Sequence, residues 1–391
     1  MTENPTILPL TRPDPMTPPT AYAELRAVTP IAPVRTPEGV PAWLVTSYDA
    51  ATTVLSDRRF GIAPPDAGPP GHDTLFQDGE VHLRLRRLVS AAFTPRAIAA
   101  LRPRVERLAE DQVAALVASA RPADLVSGFA APLSTSVIGE VLGVELGKRD
   151  HFQALVRMTG SIDYSDGGAA ARRAWEDLAE YAAELVAAKR ADPGDDLLTA
   201  LIAVRDTDDG GGRLSDAELV AMVSTIVAGG YLTACNAIAV ATIRLLGEGR
   251  LHAMAADPGE AGAVLEETLR LQSGLTGEPF PRYAQVDVEL GGVAIGKGEM
   301  VLVRLEAAQR DPGHVEAPDE FRPGQAASPT LAFGHGPHYC LGAALARVEL
   351  AAALGALARG VPGLRLACEP GEVEWTTDSM DVGPVSLPVS W

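Results

Sequence analysis

The stretch "LAFGHGPHYCLGAALARVEL", Leu331 to Leu350, decides how the rest of the chain is read. Gly334 and Gly336 let the backbone turn tightly ahead of Cys340; Gly342 follows, and then an alanine- and leucine-rich helical pattern begins. A cysteine on a glycine-rich turn just before a helix meets unsatisfied backbone N–H groups and the positive end of the helix dipole. Both favour thiolate. A thiolate is a soft, electron-rich metal ligand. On these residues alone two other readings stay open. Cys340 could be a small apolar core residue. His335, His338 and Cys340 could also share a zinc ion, although structural zinc takes four ligands in paired spacings and no second pair exists here.

Composition bounds what surrounds this loop. The chain has 391 residues, 47% of them apolar, and a formal net charge of −18. No Ser/Gly-rich linker and no internal repeat divides it, so residues 1–391 read as one large domain, led by a proline-rich arm at 1–19. The negative balance argues against a nucleic-acid or anionic-membrane partner, whose phosphates it would repel. Cys235, Cys340 and Cys368 are widely spaced and odd in number, which suits a reducing cytoplasm rather than a disulfide framework. The opening "MTENPTILPLTRPDPMTPP" has no basic region followed by an apolar core, so neither a signal peptide nor a membrane anchor is expected there.

Residues 30–60 read as two short strands around a glycine turn and then a helix; helical patterns dominate from about 97 to 250. The longest starts at Ser215, where Ser215 and Glu218 form a capping box with Leu214 and Leu219 as its hydrophobic staple. It is predicted to run to about Leu246, 31 residues or roughly 46 Å. Within it, Leu219 to Ile243 gives 25 residues without a charge, long enough to span a bilayer. The run is alanine-rich and holds Ser224, Thr225, Thr233 and Asn236, so a buried central helix is expected instead. Its interior contains Gly229 and Gly230, each costing about 0.8–1.0 kcal/mol relative to alanine. Beyond 280 come short strand patterns, the Cys340 loop, one more helix and a strand-like tail. The chain reads as mostly α with minor β.

Phe333, Gly334, Gly336, His338, Cys340, Gly342, Leu345, Ala346 and Arg347 together resemble the haem-binding loop of the cytochrome P450 family, soluble bacterial type. In that family a cysteine thiolate holds the iron of haem b. "EETLR" supplies Glu267 and Arg270, resembling the family's Glu-x-x-Arg brace, and Val264, Leu265, Leu269 and Leu271 around it suit a buried pair. "VHLRLRR" puts His82 and Arg86 on one helical face. The resemblance assigns both to the haem propionates, together with Arg282 of "FPRYA" and His338, a sensible set of cationic donors for two carboxylates. It also implies the P450 fold with a long central helix over the haem. Ala228 and Gly229 would leave room beside the iron, and Leu232 would help shape that distal pocket. Dioxygen, ferredoxin and ferredoxin reductase are the implied partners, the ferredoxin meeting Arg84, Arg87 and Arg347, in a cytoplasmic enzyme.

The family usually follows its Ala-Gly-x with an acid and a threonine that deliver protons. Counted from Ala228, those two slots hold Tyr231 and Leu232, and Thr233 comes one residue later, rotated by about 100°. On this count Tyr231, Leu232 and Thr233 are the catalytic candidates of an atypical relay. A reaction that tolerates slow proton delivery is then expected: oxidative C–C or C–N coupling of an aromatic cyclodipeptide (diketopiperazine) in secondary metabolism, by joining two radical centres. "AWLVTSYDAATTVLSDRRF", "LRLQSGLTGEPFPRYA" and "KGEMVLVRLEAAQRDP" look like the branch that includes mycocyclosin synthase. Asp381 stands where that branch's mycobacterial enzyme is basic, so a tyrosine–tyrosine substrate is not carried over. One alternative is a conventional monooxygenase that hydroxylates or epoxidises a polyketide or terpenoid, with a substrate hydroxyl replacing the relay. Another is a catalytically silent haem protein that recruits a partner enzyme. Candidate substrate walls are the loop 62–77, Leu275 to Phe280, and the turn near Met380. Gln325 stands where an arginine is usual after "DEF", with only a structural consequence expected.

Overall fold

β-branched and apolar residues in "IAPVR" and "PAWLV" make Ile31–Arg35 and Pro41–Val45 an antiparallel pair across a turn at Gly39. The φ of 82° at Gly39 is one that only glycine adopts freely. The structure, a computed structural model, describes residues 6–67, 74–90, 93–143, 149–159, 169–206, 213–256, 259–376 and 381–391. Contacts group the chain into two compact units interleaved in sequence. Met1–His72, Phe76–Leu83 and Glu266–Cys340 form the first; Asp73–Leu75, Arg84–Leu265 and Leu341–Trp391 form the second.

In the first unit the hairpin grows into a six-stranded sheet. Its order is Thr6–Ile7, Ile31–Arg35, Pro41–Val45, Met300–Val303, Arg282–Ala284 and Phe60–Gly61. Val45, Ala51, Val54, Phe60, Val301 and Leu331 share one core beneath it. Arg282 thus opens a strand inside a packed sheet. The second unit is mainly helical, as the sequence predicts, with helices at Pro95–Ala118, Ala131–Leu142, Arg149–Thr159, Ala169–Ala191, Leu197–Asp206, Asp216–Gly247 and Ala343–Gly360.

The central helix, Asp216–Gly247, has 32 residues and begins where its cap predicts. Glu218 N donates to Ser215 Oγ at 3.0 Å, and Ser215 N donates to Glu218 Oε2 at 2.8 Å. Among the described residues it is the one helix long and apolar enough to cross a bilayer, yet 61% of its most apolar stretch is buried inside the protein. Its two glycines serve different ends. A Cβ on Gly230 would collide with Cδ1 of Ile138, on the helix Ala131–Leu142, so this glycine allows close helix packing. A Cβ on Gly229 would meet no atom within 4 Å.

Glu349 is buried on the helix Ala343–Gly360 and accepts one hydrogen bond from Ser134 Oγ, at 2.7 Å. Burial outweighs that bond and pushes its carboxyl up from 4.5 to about 7. Between those values the folded chain keeps a proton that the unfolded chain has released, so this residue lowers stability as pH rises through that window.

Two outcomes follow for equilibrium unfolding. Gly230→Ala is expected to lose about 1–3 kcal/mol by overpacking, whereas Gly229→Ala is expected to gain up to about 1 kcal/mol from helix propensity; equal effects would contradict the split. Glu349→Gln is expected to remove a pH-dependent loss of roughly 3 kcal/mol that builds up between about pH 4.5 and 7, seen as a flatter stability profile than that of the unsubstituted chain.

Candidate functional site

The Cys340 loop is held by its own backbone and by its neighbour. Gly334 N donates to Leu331 O at 2.8 Å, Tyr339 N to Gly336 O at 3.0 Å, and Cys340 N to Phe333 O at 2.9 Å. Gly334 and Gly336 have φ of 74° and 72°, both left-handed. At Gly336 a side chain is also excluded by contact, because its Cβ would lie 2.5 Å from Leu55 O and 2.7 Å from Ser56 Cα. The loop is therefore pressed against the end of the helix Tyr48–Ser56. Cys340 itself is exposed, which removes the reading as an apolar core cysteine. Among the described residues no group of three or more His, Cys, Asp or Glu is placed to share a metal ion, which removes the zinc reading.

Three of the four expected propionate donors come together in the first unit. The rings of His82 and His338 lie 4.1 Å apart, and His82 Nε2 is 3.2 Å from Pro337 O. His82 and Arg282 are almost wholly buried. Arg282 Nη1 donates to Phe280 O at 2.7 Å. Arg86 follows His82 by one turn on the helix Gly79–Ser90. Sequence reasoning missed the residue that organises the cluster, Asp78. Its Oδ1 is 3.0 Å from His338 Nε2, and its Oδ2 accepts from Ile62 N at 2.7 Å. Burial pushes its carboxyl up, but the His338 bond, the Ile62 amide and the Arg282 charge outweigh burial and hold it below the usual carboxylate range. An aspartate on a turn directly before a helix is a recognised start signal and could have pointed to it.

The brace is buried, as its flanking residues suggest. Arg270 Nε and Nη2 donate to Glu267 at 2.8 and 2.9 Å, while its guanidinium also reaches the carbonyls of Gln309, Pro318 and Glu320. Glu267 Oε1 further accepts from Arg322 N at 2.9 Å and from Gln325 Nε2 at 2.8 Å. Gln325 thus occupies its expected structural place as a neutral donor.

On the central helix the three catalytic candidates, Tyr231, Leu232 and Thr233, lie on different faces. Gly229 is exposed, Ala228 is half-buried and Leu232 is buried. Tyr231 is wholly buried about 200° around the helix from Gly229. Burial pushes its phenol up to about 12; Cys235 adds to that rise, and the hydrogen-bonding Arg157 side chain opposes it. Thr233, four residues on, returns to within about 40° of Gly229, and its Oγ1 donates to Gly229 O at 2.5 Å. The hydroxyl on the open face belongs to Thr233, and the Tyr231 phenol points into the helical core. Asn236, another turn along, is a packing anchor: its Nδ2 donates to Asp381 O at 3.2 Å, with Gly383 pressed against its side chain.

The expected basic surface needs correction. Arg84 is ion-paired with Glu218, the capping glutamate of the central helix, so its charge is already met. Arg347 Nη1 lies 3.4 Å from Ala343 O, and Arg87 is exposed. Of the candidate substrate walls, residues 68–73 and the turn at Met380 lie outside the described residues. Phe280 is 44% exposed and meets Phe76 edge to face at 4.9 Å.

This donor set fits an iron porphyrin on chemistry alone. Within the first unit it offers an exposed thiol on a turn held by backbone hydrogen bonds and, beside the Asp78 carboxylate, the nitrogen donors His82, His338 and Arg282. Comparison with known proteins agrees. The cytochrome P450 family profile matches residues 261–360. The chain is 39% identical to cytochrome P450 107B1 of Saccharopolyspora erythraea, over 94% of this chain and 93% of that one. It is 36% identical to mycinamicin IV hydroxylase/epoxidase of Micromonospora griseorubida, over 95% and 94% respectively. The crystal structure of the LnmA cytochrome P450 hydroxylase, from the leinamycin biosynthetic pathway of Streptomyces atroolivaceus, superposes with a TM-score of 0.89 at 37% identity, covering 99% of this chain and 100% of that one. These likenesses extend over nearly the whole chain and do not single out the cyclodipeptide-coupling branch. The chain belongs to the cytochrome P450 family, whose members are haem b monooxygenases.

Proposed function

We propose that this enzyme inserts one oxygen atom from dioxygen into a polyketide-type natural product, by hydroxylation or epoxidation, drawing electrons from a ferredoxin and its reductase in the cytoplasm. The observation that carries this reading is the Thr233 hydroxyl, bonded to Gly229 O on the exposed face of the central helix. Counted from Gly229 instead of Ala228, the series glycine, glycine, Tyr231, Leu232, Thr233 keeps the family's threonine and lacks only its acid. The departure that favoured radical coupling thereby shrinks to one residue. Similarity to a hydroxylase/epoxidase and to a hydroxylase supports the same direction.

In this reading Cys340 ligates the iron, while His82, Arg86, Arg282 and His338 hold the propionates. Bound haem supplies dioxygen activation, with the thiolate pushing electron density toward O–O cleavage. Gly229 and Ala228 keep side-chain bulk off the open face of the central helix. Thr233 would hold a proton at Oγ1 on the open face of the helix, where it bonds to Gly229 O. Leu232 cannot resupply it, so water or a substrate hydroxyl must. Tyr231, directed at Arg157 and the core, takes no part. Leu232 is also the one observation that still favours coupling, because an apolar residue in the acid slot slows proton delivery.

Turnover with ferredoxin, reductase and isotopically labelled dioxygen separates the readings. Offered a panel of macrolactones and aromatic cyclodipeptides, the haem-loaded enzyme is expected to convert a macrolactone into a product carrying one labelled oxygen. A cyclodipeptide that loses two hydrogens or dimerises, with no macrolactone consumed, would reinstate coupling. Reducing equivalents consumed at the same rate with and without every compound would point to a silent haem protein.

A further inference from the structure

The open face of the central helix comes to an end, and one side chain marks where. Thr225, Gly229, Thr233, Asn236 and Val240 lie on one stripe, all within about 40° of Gly229 around the helix. The first three leave that stripe accessible: Gly229 is exposed, and Thr225 and Thr233 are half-buried. Asn236 is 4% exposed and Val240 is wholly buried. The change falls between Thr233 and Asn236, a rise of about 4.5 Å along the axis.

What covers Asn236 is a hairpin of the same unit, with one arm at 374–376 and the other at 381–385. Trp375 and Pro384 form an antiparallel bridge, and Val385 N donates to Glu374 O at 2.8 Å. Thr376 N donates to Gly383 O at 2.9 Å, and Gly383 N donates back to Thr376 Oγ1 at 3.1 Å. Thr376 Oγ1 in turn donates to Asp381 O at 3.3 Å. These bonds shape the hairpin without fixing where it sits on the helix. Two other contacts do that. Asn236 Nδ2 donates to Asp381 O at 3.2 Å, filling the second lone pair of that carbonyl. Gly383 comes so close that a Cβ there would lie 2.3 Å from both Cγ and Oδ1 of Asn236. The two threonines of the stripe bond back to their own helix instead, Thr225 Oγ1 to Ala221 O at 2.8 Å and Thr233 Oγ1 to Gly229 O at 2.5 Å. Of these three polar side chains, Asn236 is the one that ties the stripe to another element.

We infer that Asn236 is a positioning residue that docks the main chain at 381–383 across the open stripe, one turn beyond Thr233, as an end-stop that sets how far a substrate reaches along the helix and which of its carbons is oxidised. The consequence for substrate rests on the proposed function; the docking of the turn does not.

The test uses the haem-loaded full chain, unsubstituted and as Asn236→Leu and Gly383→Ala. Asn236→Leu keeps the size of the side chain and loses the donor. Gly383→Ala keeps the donor and forces the turn away from it. The two variants reach one contact from opposite sides, so if one fails to fold the other decides. Amide hydrogen exchange at Val382, Gly383 and Val385 is expected to speed about tenfold in each, with no matching rise over Asp216–Gly247. Unchanged exchange at the turn, or an equal rise along the whole central helix, would overturn the inference. With a macrolactone that the unsubstituted enzyme oxidises, the ratio of positional isomers among the products is expected to shift about threefold or more in both variants. That ratio does not depend on how much enzyme is folded, and an unchanged ratio beside faster exchange would overturn the end-stop. If no macrolactone is oxidised, the proposed substrate class fails while the exchange result still decides whether Asn236 docks the turn.

Discussion

The central helix has to be narrow at Gly230, and the glycine beside it leaves one face of the same turn without a side chain. At residue 230 the limit is packing: Ile138 already fills the space where a side chain would go. At residue 229 no protein atom sets the limit. One glycine thus joins two helices while its neighbour leaves a helix face without bulk. Together they cost roughly 2 kcal/mol in helix propensity. The helix tolerates that cost because its start is fixed by a reciprocal cap and most of its length is buried. Once Gly229 marks the open face, the positions of Tyr231, Leu232 and Thr233 follow from helical geometry.

Buried carboxylates show how partners decide an acid's state. Glu267 accepts from Arg270 twice, from a backbone amide and from Gln325; burial alone would raise its carboxyl, yet it is held below its ordinary value. Glu349 has the Ser134 hydroxyl, and burial wins. The contrast explains why a neutral Gln325 suffices where an arginine is usual: the Glu267 charge is already met by Arg270, so the third donor has only to fill a remaining lone pair. Losing Glu267 ionisation would remove stability as pH falls, whereas Glu349 removes it as pH rises.

What was legible in the sequence is what short spacing encodes. Ser215 and Glu218 announce the helix start, Gly334 to Gly342 announce the cysteine turn, and Glu267 with Arg270 announce a brace, each within about two helical turns of chain. The less legible features depend on partners far away in sequence or on which face of an element turns outward. Arg12 meets Glu306 across 294 residues, Asp78 meets His338 across 260, and Arg84 is neutralised by Glu218 across 134. Which face of the central helix lies open is hidden for the second reason. A run of glycine, glycine, tyrosine, leucine and threonine shows no amphipathic stripe, so the sequence does not say which glycine faces outward until Ile138 is seen against Gly230.

The central claim is that Thr233, and not Tyr231, supplies the working hydroxyl of this helix. It is tested most directly by the ratio of oxygenated product formed to reducing equivalents consumed. Thr233→Ala is predicted to lower that ratio by about tenfold or more, while Tyr231→Phe leaves it unchanged and alters only stability. An unaffected ratio in Thr233→Ala, with a collapse in Tyr231→Phe, would contradict the account.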